Sequence, residues 1–216
     1  MTDLVVVGAS GLAREALAVV RDTGSHRPIG VLDDAVGRIA PTFDGLPVLG
    51  RIADLNQFPD VEVLVCVGSG AARERIVYWL DEIGVRGIRF ATVVDPSVRN
   101  PAGCRIGLGS ILLANVSITA AARIGEHVVM MPGVTVTHDD VIDDFATLTA
   151  GVSLGGGVHV ARGAYLGMNA AVLPGVRVGR RAVVGMCAAV LGDVPDGETW
   201  AGVPARALGR RPLVAS

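Results

Sequence analysis

From residue 92 to residue 193 the chain divides, without an insertion, into seventeen consecutive six-residue units, and in sixteen of them the third residue is aliphatic. The series runs Val94, Ile106, Leu112, Ile118, Ile124, Met130, Val136, Ile142, Leu148, Leu154, Val160, Leu166, Val172, Val178, Val184 and Val190, with Asn100 the exception. The first residue of each unit is mostly small or Val, as at Ala122, Ala146, Ala164 and Ala182, and Gly often follows the aliphatic residue, as at Gly107, Gly125 and Gly155. A helix repeats every 3.6 residues and a strand every two. A period of six needs a chain that turns a corner every six residues and stacks each apolar residue beneath its predecessor. That predicts a parallel β-helix of triangular cross-section. Chance alternation in a Val-rich sheet would have slipped phase within a hundred residues.

Residues 1–91 follow another pattern. Leu4-Val5-Val6-Val7 reads as a short strand running into Gly8-Ala9-Ser10-Gly11, after which Leu12, Ala13, Ala16, Leu17 and Val20 recur at helical spacing. Gly24 and Pro28 are expected to end that helix. A second strand covers 29–32 and stops at Asp33-Asp34; a third covers 61–67 and runs into Gly68-Ser69-Gly70. A second helix, Arg73 to Ile83, is expected to stop at Gly84. Alternating strands and helices predict a small parallel, Rossmann-like α/β domain with its ligand at the carboxyl ends of the strands. The expected organisation is therefore an α/β domain over 1–91, an all-β helix over 92–195 and a tail over 196–216. The two glycine-rich turns suit phosphate, because backbone amides at a helix N-terminus lack partners. The first turn is G-A-S-G-L-A, not the G-x-G-x-x-G dinucleotide fingerprint, and such turns also close α/β units that bind nothing.

The chain has 216 residues, 50% hydrophobic and 19% charged, within the range of globular proteins. Mean hydropathy is high at +0.51. No run of about 18 apolar residues is free of charge or glycine, so no membrane span is expected. A net charge of −2 gives no electrostatic case for nucleic acid as a partner. All 19 basic residues are Arg, which excludes a lysine Schiff base or lysine general base. Cys66, Cys104 and Cys187 are odd in number and far apart, which argues against a disulfide framework and fits a reducing cytoplasm. The first residues lack the basic and apolar regions of a signal peptide.

Polar residues that break the hexad pattern are the candidates for chemistry. His138, Asp139 and Asp140 stand at one corner, followed by Asp143 and Asp144, so four acids and a histidine fall within seven residues. A histidine beside an orienting carboxylate is the minimum apparatus for deprotonating an amine or a hydroxyl. In an ideal strand neighbouring side chains point apart, so the pairing with Asp139 requires corner geometry. A solvated corner histidine is the competing reading. His127, His138 and His159 occupy the sixth, fifth and second positions of their units, so three histidine ligands do not converge and no metal is expected. His127, His159 and His26 are read as surface residues.

The motifs V-V-G-A-S-G-L-A-R-E (6–15), L-D-D (32–34), V-G-S-G (67–70), the unbroken hexads, H-D-D-V-I-D-D-F (138–145) and G-V-P-A-R (202–206) occur in this order over the whole chain. Together they resemble the sugar acetyltransferases of the left-handed β-helix superfamily, the group with sialic acid O-acetyltransferases and N-acetyltransferases of UDP- or dTDP-linked amino sugars. The resemblance implies left-handed coils, homotrimers with active sites between subunits, acetyl-CoA as co-substrate, and a nucleotide-sugar held by the N-terminal domain. It implies that His138 is the general base, Asp139 its supporting carboxylate, and Gly156 the donor of an oxyanion-stabilising amide. Thr147, Gly156, Met168 and Met186 fall at acetyl-CoA positions. Ser10, Gly11, Leu12, Asp33, Asp34, Gly68, Ser69 and Gly70 fall at the substrate cleft. Some members have Glu where this chain has Asp139, a histidine where it has Thr147, and a histidine where it has Leu12. Gly156 lies eighteen residues after His138, three units on and at the same fifth position, so the two should stack on adjacent coils. The expected reaction is acetyl transfer to the amine of a UDP- or dTDP-linked amino sugar. Its rivals are O-acetylation of a sialic acid or another sugar hydroxyl, a sugar-nucleotide-binding scaffold and a metal-dependent hydratase.

Overall fold

The computed structural model describes residues 1–83 and 89–208. The expected helix stop at Gly84 and the end of the tail, 209–216, lie outside the described residues. The N-terminal domain is built from β1 (Thr2–Val7), α1 (Gly11–Thr23), β2 (His26–Leu32), β3 (Thr42–Phe43), β4 (Leu46–Gly50), β5 (Glu62–Val65), α2 (Gly70–Glu82) and β6 (Arg89–Phe90). Its sheet has the order β3-β4-β2-β1-β5-β6, parallel except for the β3–β4 pair. Leu4 to Val7 are fully buried because β1 is central and covered on both faces. Gly24 ends α1 in the left-handed conformation, φ 60°. Pro28 does not stop the helix. It lies inside β2, beside the register shift between Leu4 and Val5, where a residue without an N–H is tolerated. The sequence reading lacked β3, β4 and the 3-10 helix Ile52–Gln57, all short and without a sustained hydrophobic period.

Beyond Ala91 the second and third residues of the units form two-residue strands, which until the last coil pair with their counterparts eighteen residues on: Ile118 with Val136, Ile124 with Ile142, Met130 with Leu148. Three parallel sheets result, and the described strands form a left-handed β-helix of triangular section. The unit containing Asn100 makes only a single bridge, Arg99 to Ser117. Corners are cut by the sixth residue, which has positive φ in every unit from Gly103 to Cys187. First and third positions fill the interior, among them Leu112, Ile118, Met130, Leu148, Leu166 and Val190. Each such side chain contributes roughly 1.5–3 kcal/mol on burial, which offsets the entropy of ordering strands too short to stand alone. Residues 196–208, read as the start of a tail, close the stack instead: Thr199–Ala201 pairs with Val183–Val184, and Arg206–Ala207 folds back antiparallel on it.

The three faces differ at the second position of each unit. One carries Ser117, Thr135, Ser153, Ala171 and Ala189, and another Arg105, Arg123, Val141, His159 and Arg177. The third carries Val93, Ile111, Val129 and Thr147, all buried, because α1 lies on it and packs Leu12, Ala13, Ala16 and Leu17 into one cluster with Val93, Ile111 and Val129. Arg73 of α2 locks the seam. Its guanidinium is fully buried and donates to the carbonyls of Val67, Gly68, His127, Phe145 and Ala146 and to the Thr147 hydroxyl, at 2.7–3.1 Å. Burial lowers it to about 10, still cationic at neutral pH. Glu74 beside it pairs with Arg162 at 2.7 Å and Arg181 at 2.8 Å.

His127, read as a surface residue, lies in this seam. It is 2% exposed, stacked on Phe145 at 5.1 Å and edge-on to Phe90 at 4.5 Å. Burial pushes its imidazole down to about 4, with Arg73 acting in the same direction. His26 and His159 pair with Glu62 and Asp143, at 3.0 and 2.9 Å.

Candidate active site

His138 and Asp139 project from the corner between the Ser/Ala face and the Arg/His face. Both side chains are about two-thirds exposed, and His138 Nδ1 donates to Asp139 Oδ2 at 2.8 Å. Asp139 can reach its neighbour because its backbone is left-handed, φ 63°, at the sixth position. With Nδ1 holding the proton, Nε2 is a free acceptor. The other acids of the sequence cluster disperse. Asp140 turns inward, Asp143 pairs with His159, and Asp144 pairs with Arg162 at 2.6 Å. One carboxylate, not four, serves the histidine.

Gly156 lies directly beneath His138 on the next coil. A Cβ there would run into Nε2 and Cε1 of the imidazole, so only glycine lets the ring sit where it does. The next amide, Gly157, donates to the His138 carbonyl at 2.9 Å. The equivalent amides at two other corners, Glu126 and Arg180, each hold a carboxylate oxygen, from Asp144 and Asp196 at 2.9 and 2.8 Å. Gly156 N–H donates to no acceptor among the described residues, since the following coil offers Pro174 at that place. This type of amide binds anionic oxygen elsewhere in the chain and is left open next to the histidine.

Beside Asp139 a hollow of about 470 Å³ is lined by Arg105 and Arg123, with Gly103 and Ala121. The two arginines are in register on adjacent coils. A larger cleft of about 600 Å³, with Asp34, Ile52, Arg75, Trp79 and Arg181 in its lining, runs along α2.

The N-terminal turn is held by the residues read as substrate contacts. Ser10 caps α1, accepting from Ala13 N–H at 3.2 Å and donating to the Cys66 carbonyl at 2.6 Å. Asp33 accepts from Ala9 N–H at 2.8 Å and Ala35 N–H at 2.7 Å, while Asp34 accepts from Ile52 N–H at 3.1 Å and stays exposed. Gly11 is exposed at the first turn of α1, where backbone amides have no intrahelical acceptor. Gly68 and Ser69 begin the second turn, with Ser69 capping α2. Gly70 is buried where α2 meets the Phe145 carbonyl, too close for a side chain.

Two assignments are corrected. Leu12 is 6% exposed and packs into the seam, so its side chain does not face a substrate. Thr147, assigned to the cofactor groove, is 1% exposed and bound between Arg73 and the Gly68 carbonyl, so it belongs to the seam. Met168 and Met186 are 49% and 67% exposed and stand on adjacent coils at one corner, across the Ser/Ala face from His138 and Gly156.

Residues 3–80 match the PglD N-terminal domain family. No curated protein matches the sequence significantly. Among solved structures, the acetyltransferase domain of PglB from Neisseria gonorrhoeae FA1090 is 26% identical, with a TM-score of 0.88 over 96% of this chain and 100% of that chain. It has also been solved in complex with acetyl coenzyme A. PerB from Caulobacter crescentus, in complex with CoA and GDP-perosamine, is 27% identical, with a TM-score of 0.89 over 97% of this chain and 98% of that chain. The chain is a left-handed β-helix acyltransferase. Among the described residues of this acyltransferase no helix is long and apolar enough to cross a membrane, and no three His, Cys, Asp or Glu side chains converge as metal ligands would.

Two structural features escaped the sequence reading. Arg73 had no motif to announce it, though a lone arginine near the start of a helix that follows a glycine turn is one signal. The apolar second positions of every third unit, Val93, Ile111 and Val129, are a stronger signal, since they mark the covered face.

Proposed function

We propose that this acyltransferase moves the acetyl group of acetyl-CoA to the amine of a nucleotide-linked amino sugar, with His138 as general base. The observation that carries the reading is the His138–Asp139 pair seated over Gly156. The sugar nitrogen attacks the thioester carbonyl while His138 Nε2 takes its proton, and Asp139 holds the imidazole in the tautomer that leaves Nε2 free. Negative charge developing on the carbonyl oxygen is met by the open Gly156 N–H. The C–S bond then breaks, the CoA thiolate leaves, and the proton on His138 is available to it. No covalent enzyme intermediate is required. PerB, which was solved with CoA and GDP-perosamine, supports a nucleotide-linked acceptor and acetyl-CoA as donor; it was also solved with a histidine replaced by Asn or by Ala.

The N-terminal domain covers the face opposite the His138 corner, so an acceptor held at Ser10, Gly11, Asp33 and Asp34 is remote from His138 of the same chain. This supports a homotrimer in which each acceptor meets the base of a neighbouring subunit. The same arrangement would bring Met168 and Met186 of one subunit towards His138 of another, with acetyl-CoA between them. The arginine pair Arg105 and Arg123 adds positive charge next to the base, where phosphate-bearing substrates gather.

Thiol release from acetyl-CoA, measured over UDP-, dTDP- and GDP-linked amino sugars and sialic acids, tests the reading. Turnover with an amino sugar is expected, on a UDP or dTDP carrier in the first place. Turnover only with sialic acid would replace it with O-acetylation, and nucleotide binding without thiol release would replace it with a scaffold. His138→Ala is expected to lower the rate by about 10²–10⁴-fold; near wild-type turnover would remove His138 as base.

A further inference from the structure

Asp140 occupies the first position of its unit, where thirteen of the seventeen units carry Ala or Val. It is fully buried in the interior of the β-helix. Its Oδ2 accepts the N–H of Thr137 at 2.7 Å, and its Oδ1 accepts the N–H of Val158 at 2.8 Å. Thr137 immediately precedes His138, and Val158 follows Gly156 and Gly157. At most corners the first-residue amide closes its own turn instead: Val134, Val152 and Ala164 donate to Met131, Thr149 and Ala161. At Val158 that bond is diverted to the coil above.

We propose that Asp140 is a positioning residue for the base, pinning the corner that carries His138 to the corner that carries Gly156. The inference rests on the acetyl-transfer reading given above. Together with the bond from Gly157 N–H to the His138 carbonyl, the two carboxylate contacts fix the coils on both sides of the imidazole and the glycine. Asp139 sets the tautomer and Asp140 sets the height of one coil over the other. The sequence groups Asp140 with the four acids around His138, whereas its side chain points into the β-helix.

Burial pushes the Asp140 carboxyl up to about 6, against the two amides that hold it down. A raised value means its stabilising contribution is complete below the ordinary carboxylate range and lost as pH rises through about 6. At neutral pH the fold therefore retains a carboxylate that costs stability, at a position where a small apolar residue is the rule. Sites kept at a cost to stability are characteristic of function.

Asp140→Ala tests this without inviting misfolding, because Ala already stands at the first position of six units. The expected result is a kcat for acetyl transfer lowered roughly 10–100-fold, with KM for acetyl-CoA and for the acceptor within about twofold. Asp140→Asn retains one acceptor oxygen and should fall between wild type and Asp140→Ala. Ring ¹⁵N NMR is simple in a chain with four histidines. It should report one sharp set of His138 ring signals in the wild type and shifted or broadened ones in Asp140→Ala, where the ring loses its fixed height over Gly156. Unchanged kcat and an unchanged His138 ring signal in a folded Asp140→Ala would overturn the role. If the wild type acetylates no acceptor, the acetyl-transfer reading fails on its own, and the ring signal still decides whether Asp140 holds His138.

Discussion

Two corners of the same β-helix, eleven residues apart in sequence, carry a histidine each and use it in opposite ways. His127 sits where α2 docks, sealed under Phe145 and Phe90 with its imidazole pushed down to about 4, and its backbone carbonyl, not its ring, is engaged by Arg73. His138 sits two corners further on, open to solvent, with a carboxylate on Nδ1 and a glycine beneath its ring. The repeat gives both corners the same backbone: the sixth residue is left-handed in each, His127 at φ 53° and Asp139 at φ 63°. What differs is the cover. A corner covered by another domain becomes a structural joint, and a corner left bare can become a site.

The sharpest way to break the seam without touching the open corner is Arg73→Met. Six acceptors would lose their donor inside a buried joint, and removing a buried charged donor of this kind costs roughly 3–5 kcal/mol. For a chain of this size that corresponds to a Tm lower by roughly 6–20 °C in a thermal melt. Acetyl transfer at 25 °C by the fraction still folded should be close to wild type. A melt that does not move would mean the seam is held by the apolar contacts of α1 alone.

The converse change is Gly156→Ala. Its φ is not positive, so the backbone accepts a methyl group; the obstacle is the imidazole of His138. The ring must swing away, and a displacement of about 1 Å in a catalytic group costs on the order of 10²-fold in rate, or about 2.7 kcal/mol. Steady-state kinetics should record this loss while Tm stays within about 2 °C of wild type. Equal loss in kcat and in Tm would erase the distinction between joint and site.

How much of this was legible in the sequence follows the same division. The open corner could be read because it depends on one coil and the coil beneath it, and a strict period of six converts residue numbers into stacking: His138 and Gly156 are eighteen apart and lie ring on backbone. The seam could not be read so, because it joins residues 54 to 74 positions apart whose pairing no period encodes, such as Arg73 with His127, Phe145 and Thr147. Hence Thr147 and Leu12 were assigned to ligands although the docking of α1 and α2 buries both. Short elements such as β3 and β4 were lost for a different reason: two residues, or five with a proline among them, carry too little periodicity to stand out.

The smallest effect concerns the buried histidine and is read through pH. His127 stays neutral in the fold until about pH 4, whereas an imidazole in the unfolded chain takes a proton near 6.5. The folded value is the depressed one, so the stability present above pH 6.5 is lost as pH falls towards 4. At pH 5 the loss is about 2 kcal/mol. His127→Phe removes the titrating group and keeps the aromatic stack. The backbone permits it, since Phe145 holds the same left-handed position one coil below at φ 60°. Asp140 titrates in the same window with the opposite sign, gaining stability as pH falls below about 6, but it is common to both proteins and cancels in the difference. Urea denaturation at pH 7.5 and pH 5 should therefore give a wild type that weakens more than His127→Phe by about 2 kcal/mol. Parallel losses in the two proteins would mean that His127 takes up its proton within the folded seam, and that the covered corner is wetter than its packing implies.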